Sequence, residues 1–195
     1  MEKYFFMRPI IQMFSQGNFF RKAFAFALRV LAVIIVFAGL TGFVYTWNSI
    51  SKLPPPEILG GIIFQILFAI AIYMVVHLLL IRAKQIVELP EAQYNVITIF
   101  TICTKLIGEI YASFSTATAV GGGIFIWFAN NSARETLKKV TPFVLRTGEA
   151  SFMGGLQYML TGVFFAFLIL STSYLISELL AITLDIARRP RPSEN

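Results

Sequence analysis

Charged residues are scarce in this chain. Asp, Glu, Lys and Arg make up 13% of its 195 residues, whereas they make up roughly 25% of a typical soluble domain. Hydrophobic residues account for 57%, and the mean hydropathy is +0.75. A soluble fold of this composition would expose large apolar patches to water. The composition therefore excludes an ordinary water-soluble domain and favours the lipid bilayer as the solvent.

Cysteine and histidine are almost absent, since Cys103 is the single cysteine and His77 the single histidine. One of each cannot form an internal disulfide, a structural zinc site or bis-histidine haem ligation. The nucleophile pattern GxSxG and the phosphate-binding patterns GxxxxGK[ST] and GxGxxG are also missing. We therefore expect no catalytic residues, no metal site and no cofactor, and we predict that the chain is not an enzyme.

Basic residues outnumber acidic ones by 16 to 10, which gives a net charge of +6 and an isoelectric point near 9.6. They are scattered at the ends of apolar segments rather than gathered on one polar surface. This distribution is typical of membrane flanks and not of a nucleic-acid interface. The expected partners are membrane lipids and other membrane-protein subunits or a second copy of the chain, with no nucleic acid.

Apolar segments long enough to cross a bilayer occur four times, given that a hydrocarbon core about 30 Å thick requires roughly 20 apolar residues in a helix. The sequence predicts an all-α integral membrane protein, built as a bundle of four transmembrane helices within residues 30–187. The predicted spans cover approximately residues 30–50, 58–82, 94–120 and 152–186. The sequence KLPPPE at residues 52–57 predicts a stiff, non-helical connector between the first two spans, because proline lacks a backbone donor and restricts its predecessor.

Both ends of the chain have a distinct composition. Residues 1–29 are predicted to form an amphipathic segment that lies in the membrane interface, because apolar and polar residues alternate there with a helical period. The apolar face consists of Met7, Ile10, Ile11 and Phe14. Residues 188–195 are predicted to form a basic cytoplasmic tail.

The orientation of the four spans follows from the distribution of Lys and Arg. Ten basic residues fall on the side of the two termini and five on the other side. Both termini are therefore predicted in the cytoplasm, and the chain in the cell (inner or plasma) membrane. The ten are Lys3, Arg8, Arg21, Lys22, Arg29, Arg82, Lys84, Arg188, Arg189 and Arg191, and the five are Lys52, Arg134, Lys138, Lys139 and Arg146.

The third span contains two charged residues, Lys105 and Glu109, on one polar face. Lys105 lies about 16 Å along the helix from Tyr94, near the middle of the bilayer. A lone charge at that depth costs about 3 kcal/mol, so each needs a partner, water or a neutral state. Their i, i+4 spacing allows a structural pair. The alternative is a wet ion path along the stripe, which also includes Thr98, Thr101 and Thr116.

Two further features concern helix packing. The glycines at positions 121–123 are expected to allow close backbone approach and to end the third helix. An alternative in which residues 116–129 form a re-entrant segment stays open at this point. Near the cytoplasmic ends of the spans, Glu178 is predicted to pair with Arg82, or alternatively with Lys84, as a clamp between the second and fourth helices.

The function expected from these features is that of a non-enzymatic subunit, or an assembly or scaffold component, of a larger membrane complex. The absence of a site motif and the small extramembrane loops favour this class. The alternative is a small oligomeric ion channel or ion-coupled transporter that uses the polar stripe of the third span.

The predicted topology can be tested by cysteine labelling in a Cys103→Ala background. With both termini in the cytoplasm, Ser51→Cys and Ser132→Cys should both react with an impermeant reagent added outside the cell. Labelling of Ser132→Cys only after permeabilisation would contradict the four-span arrangement.

Overall fold

The computed structural model describes residues 18–90, 95–140 and 151–188, and in these ranges the chain is helical with no strand. Four helices follow one another, joined by a short turn after the first helix and by segments that lie partly outside the described residues after the second and third. Their bounds are α1 (Asn18–Ile50), α2 (Pro55–Val87), α3 (Asn95–Val140) and α4 (Phe152–Arg188).

Each helix is long and apolar enough to cross a membrane. A helix of 33 residues, the length of both α1 and α2, extends about 50 Å and so exceeds a hydrocarbon core about 30 Å thick. The prediction of four apolar helices is therefore confirmed. The candidate spans are Phe19–Ile50, Pro55–Val87, Val96–Ala129 and Phe152–Ile186.

The second helix begins at Pro55, within the segment that was predicted to be a non-helical connector. Pro55 and Pro56 occupy the first turn of α2, and Pro54 precedes it in an extended conformation. Proline is tolerated in the first helical turn because the backbone N–H groups there have no intrahelical acceptor. The prediction that residues 52–57 are non-helical was therefore wrong from Pro55 onward.

The third helix is the centre of the packing. It lies against α2 and α4 along most of their lengths, whereas α1 packs mainly on α2 and touches α3 over a shorter stretch. Within the described residues, α2 and α4 do not pack directly against each other. Any coupling between α2 and α4 must therefore pass through α3 or through long side chains.

A buried polar contact joins α1 to α2. The amide of Gln65 accepts a hydrogen bond from the Thr46 hydroxyl at 2.7 Å and donates one to the Phe43 carbonyl at 2.7 Å. Gln65 is 3% exposed, so its burial would be costly without these partners.

At the other end of α1, buried Arg21 donates to the carbonyl of Leu89, in the turn that follows α2.

The glycines at 121–123 do not end the third helix, contrary to the sequence prediction, because α3 continues to Val140. Residues 116–129 are helical throughout. The helix is nevertheless bent, since a Cβ on Gly122 would lie 3.1 Å from the Leu137 side chain. Fifteen residues of straight helix would separate these positions by about 22 Å. The last turns of α3 therefore fold back onto the glycine segment.

Close backbone approach at this segment, which the sequence also predicted, is confirmed. A Cβ on Gly123 would lie 2.7 Å from the carbonyl oxygen of Gly155 and 2.3 Å from Met159. Beside this contact, the Trp127 indole donates to the Phe152 carbonyl at 2.8 Å. The two glycines therefore set the distance between α3 and α4 at this crossing.

Several predictions concern residues outside the described ranges. The amphipathic segment at residues 1–29 is described only from residue 18, where α1 already begins. The loop at residues 141–150 and the tail from residue 189 onward also lie outside the described residues.

Adding a methyl group at the Gly123–Gly155 crossing should destabilise the fold. We expect Gly123→Ala to lower the free energy of unfolding by about 2 kcal/mol, because the added carbon meets backbone that cannot move aside. Gly42→Ala is the control, since the nearest atom there is the outer end of the Phe68 ring at 3.1 Å. Unfolding in mixed micelles measures both, and equal losses would contradict the packing described.

Candidate functional site

Glu109 forms a two-point ion pair with Arg82. The Arg82 Nε donates to one carboxylate oxygen at 3.0 Å, and Nη2 donates to the other oxygen. The side chains are 18% and 13% exposed, respectively. A guanidinium and a carboxylate match in this geometry, which adds direction to the charge attraction.

The antiparallel arrangement of α2 and α3 brings these two side chains together. In a helix the Cα–Cβ bond tilts toward the N-terminus. Arg82 is near the end of α2 and Glu109 follows the start of α3, so the two side chains lean toward each other. Buried contacts below them hold the helices in register, and these involve Leu79, Ala83, Ile102 and Leu106.

Tyr174 adds the fourth helix to this network. Its hydroxyl donates a hydrogen bond to Glu109 at 2.7 Å. Two neighbouring contacts seat α4 on α3: Ser173 packs against Gly108, and the Ser177 hydroxyl donates to the Thr101 carbonyl at 3.3 Å. The Arg82–Glu109–Tyr174 network therefore connects three helices, two of which do not otherwise pack together.

Lys105 does not pair with Glu109, although the i, i+4 spacing of the two residues predicted such a pair. Its ammonium lies 5.1 Å from the centre of the Tyr174 ring, in a cation–π contact. The carboxylate of Glu109 binds Arg82 instead. The physical reason is that Lys preceding Glu is the less favourable order on one helix, whereas Arg offers two parallel donors from a neighbouring helix.

The expected clamp between Glu178 and Arg82 is not formed in the structure. Glu178 lies one turn after Tyr174 and is exposed. Within the described part of the chain it makes no ion pair, because Arg82 is engaged by Glu109 and because α2 and α4 are held apart.

The threonines of the predicted stripe do not form one continuous polar path. Thr98 and Thr101 are half-buried, and the Thr101 hydroxyl donates to the Ile97 carbonyl of its own helix at 3.0 Å. Thr116 is exposed. The stripe therefore changes from a sheltered site near Glu109 to an open surface at Thr116, about two helical turns beyond it.

Aromatic rings occupy the α2–α3 interface beyond the network. Phe64 stacks on Phe125 with ring centres 5.9 Å apart, and Phe68 meets Phe114 edge to face at 6.1 Å. Phe64 and Phe125 are completely buried. This part of the interface is a packed apolar core.

Next to it, α1, α2 and one residue of α3 enclose a groove of about 620 Å³ that opens to one side. Its lining is mainly apolar and includes Gly39, Ile72 and Phe114. A volume of this size lies within the range of roughly 300–1,000 Å³ found for small-molecule sites, but few polar groups converge on it.

Glu109 and Arg82 were both predicted to pair through their charges, but each with a different partner, and Tyr174 was not among the predicted site residues. A signal for Tyr174 was present, since a tyrosine hydroxyl deep in an apolar span needs a hydrogen-bond partner. Among the described residues, no group of three or more His, Cys, Asp or Glu side chains could hold a metal ion.

Comparison with known proteins adds no family assignment, since no family model, curated protein or solved structure matches the chain. The fold itself defines a class: an all-helical protein with four long apolar helices, of the kind that multi-pass membrane proteins have.

The ion pair can be tested with a double-mutant cycle. Removal of one partner, in Arg82→Met or Glu109→Leu, should cost about 3 kcal/mol of stability, because the other charge is left buried. The double variant should be more stable than either single variant. Lys84→Met is the control, since the Lys84–Glu88 pair is 3.7 Å long and largely exposed. Additive losses at Arg82 and Glu109 would contradict a direct interaction.

Proposed function

We propose that this chain is a multi-pass protein of the cell (inner or plasma) membrane, with both termini in the cytoplasm, and that it acts as a non-enzymatic subunit or assembly component of a larger membrane complex. The observation that carries the proposal is the Arg82–Glu109–Tyr174 network. It uses charged groups to join helices, which is what a structural component requires.

The geometry of Glu109 supports this role. Its two carboxylate oxygens together accept hydrogen bonds from Arg82 and from the Tyr174 hydroxyl. A carboxylate that is neutralised and held at three points stabilises an arrangement of helices. A proton or ion carrier instead needs a group that can exchange partners with water.

The packing beyond Glu109 supports the same role. An ion path along the α2–α3 interface would have to pass the completely buried rings of Phe64 and Phe125. Rings packed in this way leave no polar group that could replace the hydration shell of an ion.

One observation favours the alternative of a channel or ion-coupled transporter. Lys105 has no carboxylate partner among the described residues, and it shares its helix face with exposed Thr116. An ion path would then run along the open surface of α3 and would be completed by neighbouring chains.

Flux and assembly measurements on the same preparations separate the two functions. For a structural component, we expect proteoliposomes of the parent protein to show no ion flux above empty vesicles. We also expect Glu109→Gln to shift the native mass of the detergent-solubilised assembly to smaller species, because Arg82 loses its counter-charge. A parent protein that conducts, together with a fully assembled and non-conducting Glu109→Gln variant, would contradict the proposed function.

A further inference from the structure

Lys105 and Glu178 are two opposite charges on adjacent helices that have no ionic partner. Among the described residues, Lys105 makes a cation–π contact with the ring of Tyr174 but no ion pair, and Glu178 makes no ion pair or hydrogen bond. Both residues lie within candidate spans. Charges at such positions usually face the bundle interior or a water-filled cavity, and they pair with one another or with backbone carbonyls.

The two charges lie about one helical turn apart along the helix bundle. Ser173 of α4 packs against Gly108, and Ser177 of α4 binds the carbonyl of Thr101. Lys105 falls between these two contacts. Glu178 directly follows Ser177, so the two charged residues are separated by about one helical turn along the bundle axis.

The two charges also border the same side of the molecule. Glu178 is one turn from Tyr174 on α4, and the ammonium of Lys105 lies over the ring of Tyr174. Glu178 is exposed and Lys105 is half-buried. A surface that contains a cation and an anion within about one helical turn is complementary to a second copy of itself.

We propose that a second copy of the chain packs against this side of α3 and α4, with a two-fold axis along the bundle, so that Lys105 of each copy pairs with Glu178 of the other. A two-fold axis in this direction keeps each residue at its own level, so the cation of one copy and the anion of its neighbour stay about one helical turn apart in height, which the long lysine side chain can span. The interface deepens the structural role proposed above and rests on it.

A partner carboxylate suits Lys105 better than a lipid phosphate does. Tyr174 lies 12 residues before Ile186, the end of its candidate span, which corresponds to about 18 Å along the helix. A hydrocarbon core about 30 Å thick, centred on this span of 35 residues, leaves about 11 Å of helix outside it at each end, so the ring lies about 7 Å inside the core. A carboxylate on a neighbouring helix can reach the ammonium at that depth.

Charge reversal in two differently tagged chains tests the proposal. Lys105→Glu alone places like charges opposite each other at both positions, and so does Glu178→Lys alone. We expect each variant to self-associate about tenfold or more weakly than the parent protein. Coexpression of the two variants should restore the dimer as a mixed species with both tags, because every contact then joins opposite charges.

The controls reverse charges that have no place in the interface. Lys84 and Glu88 are largely exposed at the end of α2, so Lys84→Glu and Glu88→Lys should leave self-association unchanged. If a single interface variant does not accumulate, recovery of both chains on coexpression supports the proposal, and failure to recover them contradicts it.

Other outcomes overturn the inference in distinguishable ways. If the charges pair within one chain, the combined Lys105→Glu and Glu178→Lys variant recovers while coexpressed single variants do not. A parent protein that purifies as one copy with other membrane proteins contradicts the second copy but leaves the structural role intact. A parent protein that purifies alone as a monomer contradicts both.

Discussion

The structure depends on one carboxylate, Glu109, placed where three helices can reach it. Arg82 approaches from α2 and Tyr174 from α4, while Glu109 itself belongs to the central helix. In an apolar environment each of these polar groups is costly alone and stabilising together. The network therefore makes the position of α4 relative to α2 depend on charge, although these two helices have no direct packing within the described residues.

Apolar packing and small residues complete the arrangement around this network. Gly123 and Gly155 bring α3 and α4 to backbone contact, and Gln65 ties α1 to α2 through buried hydrogen bonds. These contacts set the distances between neighbouring helices. The paired charges also restrict the relative orientation of the helices, because a two-point Arg–carboxylate contact forms in few geometries.

The sequence was sufficient to predict the helices but not the partners of their polar residues. Long apolar runs require helices because every backbone polar group must then be satisfied within its own segment, and four such helices are found. Glu109 and Arg82 were recognisable as costly charges. Their pairing depends on helix packing, which apolar periodicity does not encode, so the nearest residue on the same helix, Lys105, was the natural but incorrect partner. The continuation of α3 past Gly121 was not predicted either. Whether a helix ends at a glycine depends on the packing around that glycine, and the sequence pattern does not show this packing.

A distance measurement between the C-terminal ends of α2 and α4 tests the central claim most directly. Spin labels at Val87→Cys and Ile186→Cys, both exposed positions, in a Cys103→Ala background would report this distance in the intact protein, diluted with unlabelled chains. If the network fixes α4 relative to α2, the distribution is narrow in the parent protein and becomes broad or shifted in Glu109→Leu. An identical narrow distribution in both proteins would show that packing alone positions the two helices.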